Sequence, residues 1–393
     1  MKILYLGYFS TPEVFNKIDE AGLDPSVGRQ KYETALLNEL LSERIIVSDD
    51  LSVISYLPQN KQITETPKTD YYLGKMIHYV WTERNNPIHI LKAIVNISEL
   101  AVEWAAKTEN EERIILTYAA NPILLAGLSR LRRHVKIVTI CSEVPEFRNM
   151  TEGNPLVNKI KKSIFSYYNE KMDGYVFMSK YMNDVCNKGN KPWIVVEGMA
   201  GILPIRETSV KKDMNSKVLF YAGGLHIENG IVTLLDAMNY LEDVELQLCG
   251  VGNAIETIRE YESKYKNVHY LGSLPNETIL KLEKEADLLI NPRKSDFQLT
   301  RYSFPSKTFE YFSSGTPCIM SKLDGIPDEY YEHCYTCDVS TPEGLSRDIR
   351  NALEVPFEER EAKAAGAYEF IRDEKSPLTQ TKKIVGFLYG LAR

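Results

Sequence analysis

The 393-residue sequence is poor in cysteine and has no long apolar run. Its six cysteines are widely spread, and several lie in apolar segments such as "LQLCG" and "TPCIM", which favours buried free thiols over a disulfide framework. Only Cys334 and Cys337, in "HCYTCDV", have a spacing typical of metal ligands, and a short strand carrying two thiols is favoured over a zinc or redox site. No window approaches the ~18 consecutive apolar residues of a membrane-spanning helix, so we expect a soluble or peripheral protein.

The sequence also lacks an excess of positive charge. A formal net charge of −7 disfavours non-specific nucleic-acid binding, and no nucleic-acid partner is expected. The start, "MKILYLGYFST", has no basic leader beyond Lys2 and no small-residue cleavage site, so it reads as a buried strand rather than a signal peptide. We expect a cytoplasmic protein, with the inner face of the cell membrane as a further location.

Apolar strand-like runs alternate with helix-like stretches along the whole chain. The first half contains "KILYLGYF", "LSVISYLP", "IHYVW", "RIILTYA", "VKIVTIC" and "GYVFMS", and the second contains "KVLFYAGG", "VELQLCGVG", "NVHYLGSL", "DLLINPR", "TPCIMSKL" and "CYTCDV". This rhythm is typical of parallel sheets covered by helices, and the length suggests two domains. The sequence therefore predicts an α/β protein of two Rossmann-like parallel-sheet lobes.

The boundary between the lobes is marked by a polar, proline-bearing stretch. We predict an N-terminal domain over residues 1–200, a C-terminal domain over 201–376, a linker near 198–212, and a final helix over 377–393. Ligands of parallel sheets bind beyond the carboxyl ends of the strands, so two such lobes are expected to face a central cleft. Candidate functional residues should therefore lie in loops that follow strands.

The segment "RYSFPSKTFEYFSSG" predicts a helix that begins at an anion site. Ser303 suits the N-cap, Pro305 the first turn and Gly315 the C-terminal stop, so the helix is expected from about Phe304 to Ser314. First-turn amides and the positive end of the helix dipole favour phosphate there. Lys307 adds a positive charge.

Two further charged residues complete a predicted nucleotide-diphosphate pocket. Arg293 ends the strand "LLINPR" and is suited to bidentate contact with phosphate oxygens. Glu310 lies three residues beyond Lys307 on the same helix face, where a carboxylate can accept hydrogen bonds from ribose hydroxyls. Taken singly, each of the three could be an ordinary solvated or ion-paired charge.

Glycine-bearing turns after other strands add to this pocket. Gly223 and Gly224 would let backbone amides approach a diphosphate, and Gly250 repeats the pattern at the next strand end. Tight turns without a ligand explain "CGVGN" about as well. In "LGSLPN", the backbone of Ser273 and Leu274 could seat the nucleotide base.

These motifs resemble the donor-binding domain of the family-four (group 1) retaining glycosyltransferases, which have the GT-B fold. The resemblance is most specific over "YAGGLHIENGIVTLLDAM", "LGSLPNETILKLEKEADLLINPR", "YSFPSKTFEYFSSGTPCI" and "DGIPDEYYEH", and it is closest to transferases of bacterial capsule, exopolysaccharide and O-antigen assembly. The first lobe matches more loosely. The resemblance implies that the final helix crosses back to the first lobe.

The resemblance also implies roles for individual residues. Glu310 corresponds to the second glutamate of the family's paired-glutamate motif, which contacts the donor ribose, whereas Tyr302 stands where the first glutamate is expected. Gly224 and Asn229 replace an arginine and a lysine that many members carry. Diphosphate charge is then left to Arg293, Lys307 and the helix terminus. Tyr302, Ser303, Phe304 and Ser306, at the start of the predicted helix, are further donor-binding candidates.

In the first lobe, the resemblance points to two positions. Gly28, in "SVGRQ", occupies the family's glycine-loop position, and "CSEVPEF" falls where related enzymes carry a histidine–aspartate pair. Cys141 and Ser142 cannot replace an imidazole, so Glu143 is the candidate that orients the acceptor hydroxyl. A carboxylate that caps a helix or pairs with Arg148 is an equally good interpretation of Glu143.

The implied reaction is metal-independent, retaining transfer of a sugar from a nucleotide-diphosphate sugar, with UDP the commonest base. The catalytic set is Glu143, Arg293 and Lys307. No Asp-x-Asp pair follows an apolar strand, which agrees with the expectation of no metal ion and no cofactor. The expected acceptor is an oligosaccharide or a polyprenyl-diphosphate-linked glycan. The alternatives are a catalytically silent GT-B partner of an active transferase and a nucleotide-sugar epimerase.

One helical segment bears on membrane contact. In "NPLVNKIKKSIFSYYNEKMDG", Leu156, Ile160, Ile164 and Tyr168 share one helical face, and three lysines cluster elsewhere. Packing of the apolar face inside the first lobe is favoured over contact with an anionic membrane. The basic stretch "RLRRHVK" is a second patch that favours contact with an anionic membrane.

Overall fold

The computed structural model describes residues 1–24, 26–42, 45, 50–63, 65–83, 86–119, 121–142, 144, 155–201, 217–295 and 298–392. These residues form two compact units, Met1–Met199 with Pro377–Arg393 and Ala200–Ser376. Most of the predicted linker near 198–212, namely residues 202–212, lies outside the described part of the chain.

Unit 1 contains an eight-stranded sheet in the order β3-β4-β2-β1-β5-β6-β7-β8. Its strands are β1 (Lys2–Gly7), β2 (Leu51–Pro58), β3 (Thr69–Tyr72), β4 (Lys75–Thr82), β5 (Arg113–Tyr118), β6 (Lys136–Cys141), β7 (Gly174–Phe177) and β8 (Trp193–Val195). The helices of this unit are α1 (Pro12–Glu20), α2 (Val27–Leu41), α3 (Pro87–Lys107), α4 (Pro122–Gly127), α5 (Pro155–Asn169), α6 (Met182–Cys186) and, from the end of the chain, α13 (Pro377–Ala392).

The sheet of unit 1 has one antiparallel strand, β3, at one edge. β3 pairs with β4 antiparallel, whereas the other pairs are parallel. The cause is local, because Leu73 and Gly74 between the two strands both have positive φ angles, 49° and 77°. Two such residues form the tight turn that a hairpin needs. β3 was not predicted from the sequence, and the predicted parallel sheet is confirmed for the other strands.

Unit 2 contains a six-stranded parallel sheet in the order β11-β10-β9-β12-β13-β14. Its strands are β9 (Lys217–Gly224), β10 (Val244–Val251), β11 (Val268–Tyr270), β12 (Leu288–Asn291), β13 (Cys318–Ser321) and β14 (Tyr335–Cys337). Its helices are α7 (Ile231–Ala237), α8 (Ile255–Lys264), α9 (Asn276–Glu285), α10 (Lys307–Ser314), α11 (Pro342–Glu354) and α12 (Phe357–Glu374).

Each unit has its own apolar core on the faces of its sheet. In unit 1, the buried core includes Tyr5 of β1, Leu36 of α2 and Ile384 of α13, so the last helix packs on the first unit. In unit 2, one face buries Leu219 of β9 with Leu234 of α7, and separate clusters cover the two faces. Burial on both faces explains why the strands read as continuous apolar runs.

Three predictions about particular segments can be compared with the structure. All six cysteines are free and buried, which confirms the prediction of free thiols. Among the α5 side chains that the structure describes, Phe165 and Asn169 are buried and Ile164 is exposed, so the face predicted to pack was wrong at Ile164, while the side chains of Leu156 and Ile160 lie outside the description. No helix within the described residues is long and apolar enough to cross a membrane.

Candidate active site

The sheet of unit 2 reverses its winding direction between β9 and β12. From β9 the chain proceeds outward to β10 and β11, and from β12 it proceeds the other way to β13 and β14. The two central strands are neighbours, with Leu288 in register with Leu219. Such a reversal leaves a crevice beyond the carboxyl ends of the two strands, where ligands of open α/β sheets bind. Gly223 and Gly224 end β9 here, and Arg293 follows β12.

Lys307, the first residue of α10, reaches the end of β9. A Cβ atom built on Gly223 would lie 1.9 Å from Lys307 Nζ, and Gly223 has a φ of 145°, so any other residue would strain the backbone and displace the ammonium. The same ammonium lies 5.1 Å from the centroid of the Tyr221 ring. The absence of a side chain at Gly223 thus makes room for a cation of the protein itself.

Arg293 supplies a second cation at the end of β12. Its side chain is half-buried, and within the described part of the chain its Nε atom is buried without a hydrogen-bond partner. Burial lowers the pKa of Arg293, which means that the charged form is incompletely solvated. Ser321, at the end of β13, donates to the Arg293 carbonyl and fixes its backbone. A buried, unpaired guanidinium N–H is suited to receive an anionic ligand.

Tyr221 interacts electrostatically with both cations. Its hydroxyl donates to the Gly224 carbonyl at 2.9 Å, and Asn229 Nδ2 donates to the same oxygen at 2.8 Å. Burial raises the pKa of Tyr221 to about 12, although the charge of Arg293 opposes the rise. Tyr221 therefore remains a neutral donor that holds the Gly224 peptide. No sequence pattern indicates this role, since Tyr221 resembles an ordinary strand residue in "KVLFYAGG".

The loops after β9 and β12 touch each other. Gly230 lies against the backbone of Pro292 and has a φ of 78°. A Cβ atom at residue 230 would lie 1.9 Å from the Pro292 carbonyl oxygen. Only glycine permits both this φ and this approach. The contact fixes the β9 loop beside the segment that carries Arg293.

The helix that carries Lys307 begins three residues later than predicted. α10 spans Lys307–Ser314 with Ser306 at the N-cap, so the expected start at Phe304 and the N-cap at Ser303 were wrong, whereas Gly315 ends the helix in a left-handed conformation as expected. The physical reason is packing. The Phe304 ring lies 4.8 Å from that of Phe309 and contacts the buried Tyr330. These contacts hold the backbone at Phe304 in a non-helical conformation.

The turn before this helix rests on a second glycine-bearing loop. Tyr302 ends a short 3-10 helix, Gln298–Tyr302, and Ser303 follows it. A Cβ atom at Gly325 would lie 2.3 Å from the carbonyl oxygens of both Thr300 and Ser303, so the "DGIP" loop packs directly against this turn. Tyr302 and Ser303 are half-buried, and Ser306 is exposed.

Glu310 lies on α10 one turn beyond Lys307, and its side chain is half-buried. The next residue anchors the helix, because the Tyr311 hydroxyl donates to the Ile290 carbonyl of β12 at 3.2 Å. Thr308 and Phe309 donate their backbone N–H groups to the carbonyls of Pro305 and Ser306. These bonds hold Lys307 and Glu310 at the end of β12, as the sequence predicted for their relative placement on one helix face.

The more distant glycine signals have structural explanations. Gly250 is in register with Gly223, and a Cβ atom there would lie 1.8 Å from the Gly223 carbonyl oxygen. Close packing of two strand ends therefore requires a glycine at this position. The backbone N–H of Leu274 contacts the Cys249 thiol, and Ser273 beside it is exposed. Contact of Ser273, Leu274 and Gly250 with a nucleotide stays a prediction.

In unit 1, the two predicted positions differ in how far the structure describes them. Gly28 lies in the first turn of α2 with open space around its Cβ position, and the positive φ of 55° falls on Ser26 instead. Gly28 is therefore an ordinary helical residue in this conformation. Glu143 lies outside the described residues.

Sequence reasoning missed a buried carboxyl group at the end of β1. Glu33 of α2 is fully buried, and its Oε1 accepts hydrogen bonds from the Tyr5 hydroxyl and the Tyr8 backbone N–H, both at 2.8 Å. Burial raises the pKa of Glu33 to about 7. Gly7 makes room for it, because a Cβ atom there would lie 2.0 Å from the carboxylate oxygen.

No group of three or more His, Cys, Asp or Glu side chains in the described part of the chain could hold a metal ion. The Cys334 thiol contacts that of Cys318, and this contact together with burial raises the pKa of Cys318. Only Cys337 lies on β14, Tyr335–Cys337, so the prediction of one short strand that carries both thiols was wrong at Cys334.

Comparison with known proteins identifies unit 2. Residues 205–370 match the family model for glycosyl transferases group 1. The chain carries a group 1 glycosyltransferase domain. The match covers the sheet of unit 2 from β9 to β14 and includes the crevice with Lys307 and Arg293. The comparison with curated proteins found no match.

Solved structures place the group 1 domain in a GT-B fold that extends over the whole chain. Sucrose-phosphate synthase from Thermosynechococcus elongatus is 14% identical with a TM-score of 0.67, covering 100% of this chain and 99% of that one. HepE from Anabaena, solved in complex with UDP, is 13% identical with a TM-score of 0.65, covering 99% and 100%. An E. coli trehalose-6-phosphate protein bound with UDP-2-fluoro glucose is 10% identical with a TM-score of 0.64, covering 99% of each chain.

Proposed function

We propose that this protein is a retaining glycosyltransferase that moves a sugar from a nucleotide-diphosphate sugar, with UDP as the nucleotide, to a surface-polysaccharide or lipid-linked oligosaccharide acceptor. One observation carries the proposal. Two cations, Lys307 and Arg293, converge on Tyr221 at the winding reversal of a group 1 domain. A diphosphate is the ligand that such a pair of cations, placed beyond the carboxyl ends of parallel strands, suits best.

The two cations would stabilise the charge that develops as the sugar leaves. When the bond between the anomeric carbon and the diphosphate breaks, negative charge grows on the phosphate oxygens, and fixed cations in a half-buried crevice stabilise it without reorganisation. Arg293 carries an unpaired Nε within the described residues, so a phosphate oxygen would satisfy it. The end of the Lys307 side chain lies against Gly223, in the space that a Cβ atom there would fill. Neither cation depends on a bound metal ion.

The donor nucleoside would extend along α10. Glu310 follows Lys307 by one helical turn, which suits a carboxylate that accepts from ribose hydroxyls while the ammonium contacts the diphosphate. Two of the structural relatives were solved with UDP or a UDP-sugar. This favours UDP as the first nucleotide to test.

The proposed acceptor is a lipid-linked glycan. The resemblance of the donor motifs to polysaccharide transferases favours a glycan carried on a polyprenyl diphosphate. Ile164 and Tyr167, exposed on α5, together with the exposed Lys159, suit contact with an anionic membrane that carries such an acceptor. Glu143 would orient the acceptor hydroxyl.

One observation favours a second function, that of a catalytically silent partner of an active transferase. Tyr302 stands where the resemblance expects a carboxylate contact to the donor sugar, and the described turn from Gln298 to Ser306 contains no carboxylate. A silent protein would bind UDP without turning over any donor. An active epimerase would convert the free nucleotide sugar without an acceptor.

The test is an assay of sugar transfer from a panel of nucleotide sugars, carried out in EDTA with a lipid-linked glycan acceptor and without any acceptor. Transfer that requires the acceptor, with the anomeric configuration retained in the product by NMR, is the expected result. Binding without transfer across the panel would favour the silent partner, and turnover without acceptor would favour the epimerase. Inversion of configuration would overturn the retaining mechanism.

A further inference from the structure

The outer face of α3 in unit 1 carries an uncovered apolar stripe. Four of its aliphatic side chains are exposed: Ile88 by 66%, Leu91 by 62%, Val95 by 45% and Val102 by 38%. Their spacing of three, four and seven residues follows a heptad, which is the pattern of a helix that pairs with another helix. An isolated exposed aliphatic residue is ordinary, but four in one row along a helix of 21 residues are not.

The rest of α3 is already used for packing. It packs against the sheet and the neighbouring helix, and its buried residues are Ala93, Ile97, Ala101, Trp104 and Ala105. Gly127 of α4 comes so close that a Cβ atom there would lie 2.5 Å from Ile97. The stripe lies on the opposite side of α3, so the described part of unit 1 leaves it in solvent.

Two exposed charges flank the stripe on one side. Lys92 and Glu99 lie seven residues apart, about 10 Å along the axis, which is too far for them to pair within the helix. Neither has an ion-pair partner within the described residues, whereas Lys107 and Glu103 on the same helix pair at 2.7 Å. Opposite charges one heptad apart on the same flank are suited to pair across an antiparallel contact.

We propose that a second copy of this chain covers the stripe, with α3 packed antiparallel against α3 of the other copy. Placing Val95 opposite Ser98 of the second copy also places Leu91 opposite its Val102, and the two-fold symmetry repeats both contacts. In the same register, Lys92 comes within about 3 Å, along the axis, of Glu99 of the second copy. One arrangement thus satisfies both the apolar stripe and the unpaired charges.

The β3–β4 hairpin extends the surface beyond the end of α3. Tyr71 and Met76 are opposite each other in the hairpin and are exposed by 63% and 39%. His78 of β4 lies on the same sheet face. Burial lowers the pKa of His78, and the charges of Glu103 and Lys107 near the C-terminal end of α3 also act on it. The hairpin therefore adjoins that end of α3. In the antiparallel pair this end meets Ile88 of the second copy.

The size of this surface predicts a weak dimer. A helix of this length presents a face on the order of 300 Å², whereas stable interfaces bury about 800 Å² on each partner. Even with the hairpin, the interface stays below that size. We expect dissociation constants in the micromolar range, so that dimerisation depends on protein concentration.

Charge reversal tests the pairing directly. Sedimentation velocity of the full chain from about 1 to 100 μM should show a monomer–dimer equilibrium. Lys92→Glu and Glu99→Lys should each weaken dimerisation by about tenfold, because each places like charges together twice. The double variant should restore the wild-type constant. Glu20→Lys, an exposed charge reversal on α1, is the matched control and should have no effect.

Other outcomes would overturn the proposal. A monomer at every concentration would do so, as would a dimer that persists in Leu91→Glu and ignores both charge reversals. Association with phosphatidylglycerol vesicles that Leu91→Glu abolishes, in a protein that stays monomeric, would assign the stripe to a membrane instead. Melting curves show whether Leu91→Glu folds, and the charge-reversal series decides the question if it does not.

Discussion

Lys307 occupies the space that Gly223 leaves open, with its Cε 2.0 Å from the position that a Cβ atom at residue 223 would take. The two residues lie 84 positions apart in the sequence, on α10 and at the end of β9. Their contact places an ammonium at the winding reversal of the sheet. The proposed donor site depends on this relationship.

Gly223→Ala should therefore impair donor binding through Lys307. The new methyl group would displace the ammonium, and the φ of 145° would strain an alanine by on the order of 1–3 kcal/mol. We expect a lower melting temperature and clearly weaker UDP binding in calorimetry. Gly386→Ala in α13, where nothing lies within 4 Å of the new methyl group, is the control and should lose neither. Wild-type UDP affinity in Gly223→Ala would refute the role of this contact.

Glu310→Ala should weaken UDP binding but not the binding of inorganic diphosphate. The carboxylate is proposed to accept from ribose hydroxyls, and hydrogen bonds to a charged group contribute about 1.5–3 kcal/mol, or about ten- to a hundredfold in affinity. Calorimetry with the two ligands separates the contacts. Glu277→Ala, at an exposed position of α9, serves as control. Equal affinity of wild type and Glu310→Ala for UDP would remove the ribose assignment.

Glu143→Gln should lower kcat while leaving the dissociation constant for the donor unchanged. The amide keeps the size of the side chain but cannot orient an acceptor hydroxyl as a charged acceptor does. Steady-state transfer rates and donor calorimetry on the same preparation check both halves. Normal turnover would support the alternative in which Glu143 caps a helix or pairs with Arg148.

Glu33 should make the stability of unit 1 depend on pH. Burial raises its pKa from an ordinary 4.5 to about 7, against the opposing hydrogen bonds from Tyr8 and Tyr5 and the charge of Arg29. The folded chain thus holds the proton more tightly than the unfolded chain. The resulting stabilisation is complete below about pH 4.5 and is lost as the pH rises through about 7.

Denaturant unfolding of wild type and Glu33→Gln between pH 4.5 and 8 checks this expectation. The free energy of unfolding of the wild type should fall relative to the variant by about 3 kcal/mol across this range. Glu20→Gln, an exposed carboxylate on α1, should run parallel to the wild type. Parallel curves for wild type and Glu33→Gln would contradict the raised pKa.

The parts of the fold that could be predicted from the sequence are those fixed by local patterns. The run "LSVISYLP" coincides with β2, and "KVLFYAGG" coincides with β9, because strands buried on both faces are continuously apolar. The predicted start of α10 was wrong, because it is set by the contact of Phe304 with Tyr330, a residue 26 positions away in the sequence.

The site itself was only partly predictable for the same reason. Lys307, Arg293 and Glu310 carry charges next to turn signals, so their residue types and positions pointed to a diphosphate. Tyr221 and Asn229 act by fixing the Gly224 carbonyl, and Glu33 by its burial. These roles arise from contacts between elements and leave no pattern within a short window of sequence.

The most direct test is the affinity for UDP, measured by calorimetry in EDTA, of the wild type, Arg293→Ala and Lys307→Ala. The account predicts that the wild type binds without a divalent ion and that each variant binds at least about tenfold more weakly, because each loses a charge-assisted contact to the diphosphate. Unchanged affinity in both variants, or wild-type binding that EDTA abolishes, would contradict it.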